Sequence, residues 1–300
     1  MPSSGPPARS VGSRHGLGLL IALAGVVLIS PDTVIIRALH ADPWTILFWR
    51  GLLSAVSLGL IAAVAARGRL VAAFRSIGRV GLLVAVLQGA ANVFFVLSVT
   101  HTNAANALVI ISTAPLFAAV LSRVFLAERI PLRTWLAVVV IVGAVATIFA
   151  GTFQTQRMEG ELAALAGALS QAGATTTIRR ARRVSMVPAL SLAMLVSCAV
   201  ALFFGVRWPQ PGDVGLFALQ GALLIPSAVA LLGTAPRYLV APEAALVARL
   251  EMILGPLWVW LFIGEEPNSR AVVAGAVVLL TFIVHSYLAL RDQDGPVAAA

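Results

Sequence analysis

The feature that most constrains this sequence is a series of apolar stretches, each about 20 residues long, separated by short polar breaks. A helix of about 20 residues crosses the roughly 30 Å hydrocarbon core of a bilayer. A transmembrane β-barrel would instead show segments of about ten residues with alternating hydrophobicity, and runs such as 136–150 and 272–284 do not alternate. The pattern predicts an all-α membrane protein with ten transmembrane helices. We place these spans at approximately residues 17–39, 44–66, 80–99, 104–126, 132–152, 160–178, 186–206, 214–234, 239–263 and 271–290.

Composition excludes a water-soluble fold. Apolar residues make up 60% of the chain and charged residues 11%, with a mean hydropathy of +0.97, whereas soluble domains carry about 25% charged residues. The net charge of +9 would suggest nucleic-acid binding in a soluble chain, but here the arginines lie mainly in short loops between spans, where they set topology. No nucleic-acid partner is expected. A single cysteine, Cys198, excludes a disulfide framework and a thiolate metal cluster.

Arginine is distributed unequally between the two sides of the predicted membrane. With the amino terminus inside, fourteen arginines fall in cytoplasmic segments, against three, Arg157, Arg207 and Arg270, on the opposite side. Cytoplasmic loops are enriched in basic residues. We therefore expect a multi-pass protein of the cell inner membrane with both termini cytoplasmic. A disordered tail is expected at residues 1–15 and a second cytoplasmic tail at 292–300.

The fourth and ninth spans resemble each other in layout. Each is an apolar stretch that contains a proline and ends in an acidic residue, Glu128 or Glu265, and Ala114 and Glu251 precede these acids by the same interval along the chain. Five spans per half give the two halves opposite orientations, which is the arrangement of an inverted repeat, common in secondary transporters. The two repeats are expected at residues 16–152 and 153–291.

Several short motifs resemble those of the EamA-like permeases in the drug/metabolite transporter superfamily. The motifs are SPD at 30–32, FWRG at 48–51, STAPLF at 112–117, LAER at 126–129, LE at 250–251, GPLW at 255–258 and IGE at 263–265. The resemblance covers roughly residues 17–290. It implies ten helices in two inverted five-helix repeats, a central cavity, and export or uptake of small metabolites.

Four charged residues lie deep within predicted spans: Asp32, Arg50, Arg249 and Glu251. A charge at the membrane centre costs between about 2.5 and more than 10 kcal/mol, so each must face a cavity or a partner. These residues either line a polar pathway or form structural ion pairs. Charge balance suggests pairing Asp32 with Arg249 and Arg50 with Glu251, which would leave a nearly neutral cavity suited to a zwitterionic ligand. If protons drive transport, Glu251 or Asp32 carries them.

Arg37 and Arg123 lie close to the ends of their spans. The long side chain of arginine reaches the headgroups from such positions. We expect both residues to lie outside the site.

Uncharged polar residues within the spans complete the candidate site. They either bind substrate or form hydrogen bonds between helices, which contribute about 0.6 kcal/mol each. The candidates for substrate binding or coupling are Gln88, Asn92, Asn106, Gln171 and Gln220.

Four prolines within spans are candidate helix kinks: Pro31, Pro115, Pro226 and Pro256. Each removes one helical hydrogen bond and frees the carbonyl four residues earlier. Freed carbonyls are tolerated where the backbone lines a cavity, although proline is also common in membrane helices for ordinary packing reasons.

No motif indicates an enzyme. The four histidines lack metal-ligand spacing, and the sequence contains neither a Gly-x-Ser-x-Gly motif nor a Walker loop, so no metal, cofactor or direct use of ATP is expected. The leading hypothesis is a secondary transporter that moves a small metabolite, such as an amino acid or a related compound, by alternating access. A lipid flippase and a membrane-embedded enzyme acting on lipid are the alternatives. The expected partners are a small-molecule substrate and membrane lipid, and the sequence leaves a homodimer open.

Overall fold

The computed structural model of the chain describes residues 11–67, 69–127, 131–152, 158–180, 186–235, 238–239 and 241–294, and all regular structure within them is helical. Glu128 of the first acidic motif and most of both predicted tails lie outside the described residues, whereas residues 11–15 are helical. The helices in the first part of the chain are α1 (Val11–Ile29), α2 (Asp32–Ala38), α3 (Pro43–Ala65), α4 (Leu70–Ser76), α5 (Gly78–His101), α6 (Ala104–Ile111), α7 (Ala114–Leu126) and α8 (Leu132–Thr152). Those in the second part are α9 (Met158–Arg180), α10 (Val187–Leu202), α11 (Val214–Phe217), a π-helix (Ala218–Leu224), α12 (Ile225–Thr234), α13 (Ala241–Arg249), α14 (Glu251–Ile263) and α15 (Ser269–Asp294).

Eight helical stretches among the described residues are long and apolar enough to cross a membrane. They coincide with the first five and the last three predicted spans. The predicted seventh span is α10, an apolar but shorter helix of 16 residues. The predicted sixth span is α9, whose 23 residues reach about 34 Å but are more polar, with Glu159 and Glu161 in the first turn. The all-helical membrane architecture is therefore confirmed.

Three of the spans that contain proline are interrupted near it. The first span breaks between α1 and α2 at Pro31, and the fourth breaks between α6 and α7, just before Pro115. The eighth span passes through the π-helix before α12, where Pro226 lies in the first turn. Because proline has no N–H and clashes with the preceding turn, these interruptions follow from the sequence.

The ninth span breaks at a residue that the proline pattern does not indicate. Its two helices, α13 and α14, meet at Leu250, whereas Pro256 lies inside α14. A proline removes a single intrahelical bond, and the helix continues through it here. The Val27 carbonyl, which Pro31 frees in the first span, was expected to be open to a cavity. It instead accepts a hydrogen bond from the Ser30 hydroxyl at 3.0 Å.

The helices of the last two spans begin at a constant distance along the chain from those of the fourth and fifth spans. Ala241 of α13, Glu251 of α14 and Ser269 of α15 follow the first residues of α6, α7 and α8, respectively, by one and the same interval. Both α7 and α14 are 13 residues long, and each is followed by a residue in the left-handed conformation, Ala127 with φ 54° and Gly264 with φ 77°. The correspondence expected between Ala114 and Glu251 thus appears in the helix bounds.

Small residues allow the helices around the centre of the molecule to approach closely. A Cβ atom at Gly89 of α5 would lie 2.8 Å from the Ala193 carbonyl oxygen of α10. One at Gly221 of the π-helix would lie 3.0 Å from the Arg50 carbonyl oxygen and 2.7 Å from the Leu53 Cβ atom of α3. The π-helix therefore packs against the α3 turn that carries Arg50.

Asp42 caps the amino terminus of α3, the helix that carries Arg50. Its Oδ1 accepts bonds from the Trp44 and Thr45 backbone N–H groups at 3.1 and 3.0 Å, and its Oδ2 accepts one from the Thr45 hydroxyl at 2.7 Å. Burial alone would raise the pKa of Asp42, but these hydrogen bonds favour its charged form and hold the pKa below its usual value. The cap fixes the start of α3.

Candidate functional site

A cavity of about 310 Å³ lies at the centre of the helices. Seven of the nine polar residues predicted for the site line it: Asp32, Arg50, Gln88, Asn92, Gln171, Arg249 and Glu251. The rest of its wall is mainly apolar, with Phe95, Ile111, Met194, Ile225 and Met252 among the contributors. A mostly apolar cavity with a few convergent polar groups is typical of small-molecule sites.

Asp32 and Arg50 form a buried ion pair in one wall of the cavity. Their side chains are 3% and 6% exposed, and Arg50 Nη2 lies 2.7 Å from Asp32 Oδ2. Arg50 Nε lies 3.4 Å from Asp32 Oδ1, and Phe95 packs under the guanidinium, 5.5 Å from ring centre to Cζ. Asp32 is the first residue of α2, so the helix break at Pro31 gives its carboxylate this position.

Uncharged side chains surround the ion pair. Arg50 Nη1 donates to Asn92 Oδ1, Asn92 Nδ2 donates to the Ser197 hydroxyl at 2.9 Å, and Gln220 Nε2 donates to Asp32 Oδ1 at 2.8 Å. Gln220 itself is fully buried behind Asp32, outside the cavity lining. The ion pair and its neighbours connect α2, α3, α5, α10 and the π-helix, which gives them a structural role in the wall.

Arg249 and Glu251 stand on either side of the break in the ninth span. Arg249 Nη1 donates to the Ser112 carbonyl at 2.9 Å, and its guanidinium lies over the Phe282 ring at 5.7 Å. Glu251 is half-buried and lines the cavity. Within the described residues, its carboxylate forms neither a hydrogen bond nor an ion pair.

The pairing suggested by charge balance is wrong. Asp32 pairs with Arg50, its neighbour on the adjoining span, and not with Arg249. Arg50 is thereby occupied and does not pair with Glu251. The reason is geometric: the broken first span turns Asp32 toward α3, and a backbone carbonyl takes the place of a carboxylate as the partner of Arg249.

The remaining predicted residues divide between the cavity and its surroundings. Gln88 Nε2 donates to Gln171 Oε1 at 2.8 Å, across α5 and α9, in the cavity wall. Asn106 lies elsewhere, bonded to the fully buried Glu161 at 2.7 Å and to Asn268 at 2.9 Å. The four prolines are absent from the cavity lining. Pro31, Pro115 and Pro226 influence the cavity through the helix interruptions beside them, whereas α14 continues through Pro256.

Sequence reasoning missed several groups that complete the site. Phe95 and Ser197 support the ion pair, and the Ser112 carbonyl holds Arg249. An apolar ring, a hydroxyl and a backbone carbonyl are too common in membrane helices to stand out without the fold. Arg37 was expected to reach the headgroups, but it pairs with Glu265, Nη2 to Oε2, at 3.2 Å.

Comparisons with known proteins show a similarity to a family of transporters. Residues 11–150 match the model of the EamA-like transporter family. The chain is 26% identical over 213 residues to the pseudopaline exporter CntI from two strains of Pseudomonas aeruginosa, an alignment that covers 68% of this chain and 74% of the relative. A protein of known crystal structure shares the fold, with a TM-score of 0.63 at 17% identity over 93% of this chain and 99% of that protein. The chain is a multi-pass membrane protein whose residues 11–150 are similar to the EamA-like transporter family.

Proposed function

We propose that this protein is a secondary transporter that moves a small amine-bearing metabolite, such as an amino acid or a related compound, by alternating access to the central cavity. The observation that carries the proposal is the carboxylate of Glu251. It faces the cavity without a partner among the described residues, whereas Asp32 and Arg50 neutralise each other. A lone carboxylate in a low-dielectric cavity attracts a cationic group or a proton.

The size and chemistry of the cavity agree with a substrate of this class. Its volume of about 310 Å³ is at the lower end of the range for small-molecule sites. Gln88 and Gln171 offer amide groups that bind a carboxylate or carbonyl, and Phe95 and Met194 form apolar surface for a side chain. The cavity therefore suits a zwitterion with a modest apolar group.

We propose export as the direction of transport. The support comes from the relative that is named as a pseudopaline exporter. Proton exchange at Glu251 is the proposed coupling step, because this carboxylate is the lining acid that remains free to take up either an ammonium group or a proton.

For the architecture we propose ten spans in two inverted five-helix repeats, residues 16–152 and 153–291, with both termini in the cytoplasm of the cell inner membrane. The constant spacing between corresponding helix starts supports the repeat, and five spans per half invert it. The arginine distribution supports the orientation.

The proposal is tested by transport into proteoliposomes. Purified protein is reconstituted and the uptake of a panel of radiolabelled L-amino acids is measured, with a fluorescent phospholipid as a separate probe of lipid scrambling. Uptake of at least one amino acid that falls to background in Glu251→Gln is expected, while Glu159→Gln, which changes an exposed carboxylate of α9, retains the full rate. Scrambling of lipid without uptake would favour the flippase alternative.

A further inference from the structure

The two helix breaks that border the cavity have the same backbone hydrogen-bond pattern. In the fourth span, Thr113 N–H donates to the Ile110 carbonyl, and the N–H groups of Leu116 and Phe117 both donate to the Thr113 carbonyl. An unbroken helix would direct the Leu116 N–H to Ser112. The break therefore releases the Ser112 carbonyl from its helical donor.

The ninth span repeats this pattern at the corresponding residues. Leu250 N–H donates to the Val247 carbonyl, and the N–H groups of Ile253 and Leu254 both donate to the Leu250 carbonyl. Arg249 thus occupies in the ninth span the position that Ser112 occupies in the fourth. The likeness of the breaks is a property of the backbone, since the side chains at the two positions have nothing in common.

These corresponding positions are bonded directly to each other. Arg249 Nη1 donates to the Ser112 carbonyl at 2.9 Å, and so replaces the helical donor that the break removed. Ser112 Oγ also lies 3.0 Å from Met252 Sδ, and Gly255 packs so closely on Leu108 that a Cβ atom there would overlap Leu108 Cδ1. The broken helices α6–α7 and α13–α14 are therefore in close contact at their breaks.

The guanidinium of Arg249 is poorly placed to bind a substrate carboxylate. Nη1 is bonded to Ser112, and Nε is buried without a partner in the described part of the chain. A bidentate bond to a carboxylate uses either both Nη atoms or Nε with one Nη. The first geometry thus needs Nη1, which is already bonded to Ser112, and the second needs Nε, which is buried. A cation at the carboxyl end of α6 also interacts favourably with the helix dipole.

We infer that Arg249 is a positioning residue that links the two broken helices at their corresponding breaks and so holds Glu251 in the cavity, and that it does not bind the substrate. The inference rests on the proposed function for its transport consequences, whereas the link between the helices does not depend on it. Loss of the guanidinium leaves the Ser112 carbonyl without its donor and loosens both breaks. Substrate still binds at Glu251 in such a variant, but the conformational change of alternating access becomes slower.

The test compares Arg249→Met, Arg249→Lys and Glu251→Gln in two assays. We expect Arg249→Met to lower the maximal transport rate about tenfold while KM changes less than about twofold, because KM and kcat separate binding from the later steps. Arg249→Lys, which keeps a cation and a donor, is expected to recover part of the rate. A tenfold rise in KM in both Arg249 variants with an unchanged maximal rate would instead assign Arg249 to the substrate and overturn the inference.

Amide hydrogen exchange provides a readout that does not require transport. In Arg249→Met we expect exchange in the segment 108–117 to accelerate by about tenfold, with a smaller effect in Arg249→Lys and none in Glu251→Gln. Unchanged exchange in Arg249→Met would overturn the link even if the transporter assignment holds. Conversely, absence of transport in the wild-type protein with accelerated exchange in Arg249→Met would overturn the proposed function and leave the link intact. If Arg249→Met fails to fold, Arg249→Lys decides the question through the same KM and exchange measurements.

Discussion

At the residue scale, the four charged residues that line the cavity divide into one ion pair and two residues that do not pair with each other. Asp32 and Arg50 satisfy each other within a network of uncharged neighbours, whereas Arg249 is held by a backbone carbonyl and Glu251 faces the cavity alone. The sequence predicts which charges lie deep in the membrane, because depth follows from position along a span. It does not predict their partners, because these depend on how each helix is rotated and where it breaks.

The Asp32–Arg50 pair yields a prediction about stability. Arg50→Ala removes the guanidinium and leaves Asp32 buried without a counter-charge, so we expect the free energy of unfolding to fall by about 3 to 5 kcal/mol. The double variant Asp32→Asn with Arg50→Gln removes both charges and should lose much less. Thermal melting in detergent provides the comparison. Equal melting temperatures for Arg50→Ala and the wild type would show that the guanidinium is not needed to balance Asp32.

Glu251 yields a prediction about pH. The charged groups that act on it are Asp32 on α2, Arg50 on α3 and Arg249 on α13, and among these Asp32 and Arg50 are already paired. Because Asp32 and Arg50 are paired, Glu251 is the lining acid left to exchange a proton, and this exchange should make the transport flux depend on pH. Glu251→Gln should flatten the pH dependence, whereas Glu251→Asp should preserve it. Flux into proteoliposomes is measured from acidic to neutral pH. A Glu251→Gln variant with the wild-type rate and pH profile would eliminate Glu251 as the proton carrier.

At the scale of elements, the broken helices determine where the site lies. The sequence predicts interruptions where proline occurs in the first, fourth and eighth spans, because the lost N–H is a local property. The break at Leu250 has no such signal, since neither Arg249 nor Glu251 disfavours a helix strongly. What the sequence does contain is the equal spacing of Ala114 and Glu251 from the following acids, and these two residues begin α7 and α14.

The ends of α7 and α14 offer a matched pair of substitutions. Ala127 and Gly264 occupy corresponding positions, both in the left-handed conformation, which costs a residue with a Cβ atom about 1 kcal/mol. We expect Ala127→Gly to raise the free energy of unfolding by up to about 1 kcal/mol and Gly264→Ala to lower it by a similar amount. No heavy atom lies within 4 Å of a Cβ atom built at Gly264, so strain alone should act there. Melting shifts of the same sign in both variants would contradict this reasoning.

At the scale of the whole molecule, one set of contacts between the two parts of the chain lies around Glu265 and Asn106. Glu265 pairs with Arg37 and accepts a bond from the Ala104 N–H at 2.9 Å, and Asn106 bonds to Glu161 and Asn268. Each contact joins a residue before position 152 to one after it. The sequence singles out Asn106 and Glu265 but does not predict that they contact Glu161, Asn268 and Arg37, because these partners become neighbours only when the two parts are brought together.

The topology prediction follows from the arginine distribution. A green fluorescent protein fused after residue 290 should fluoresce, and alkaline phosphatase at the same point should be inactive, because both reporters would lie in the cytoplasm. Fusions after Gly212, which is exposed between α10 and α11, serve as the control and should show the reverse. Active phosphatase after residue 290 would exclude an even number of spans with the amino terminus inside.

The last prediction concerns closure of the cavity. If the two parts of the chain rock about the link between Ser112 and Arg249, contacts near this link persist, and contacts far from it, such as Arg37 with Glu265, must break for the cavity to open at that end. Arg37→Glu places two carboxylates together and should open it. The reporter is the thiol of Ala91→Cys in the cavity lining, introduced in a Cys198→Ser background. With Arg37→Glu this thiol should react faster with a membrane-impermeant maleimide added from the side of Gly212. With Arg37→Glu combined with Glu265→Arg it should react more slowly than with Arg37→Glu alone. Gly212→Cys calibrates access from that side and should react equally in all three proteins. If Ala91→Cys reacted at one rate throughout, the Arg37–Glu265 pair would have no part in closing the cavity.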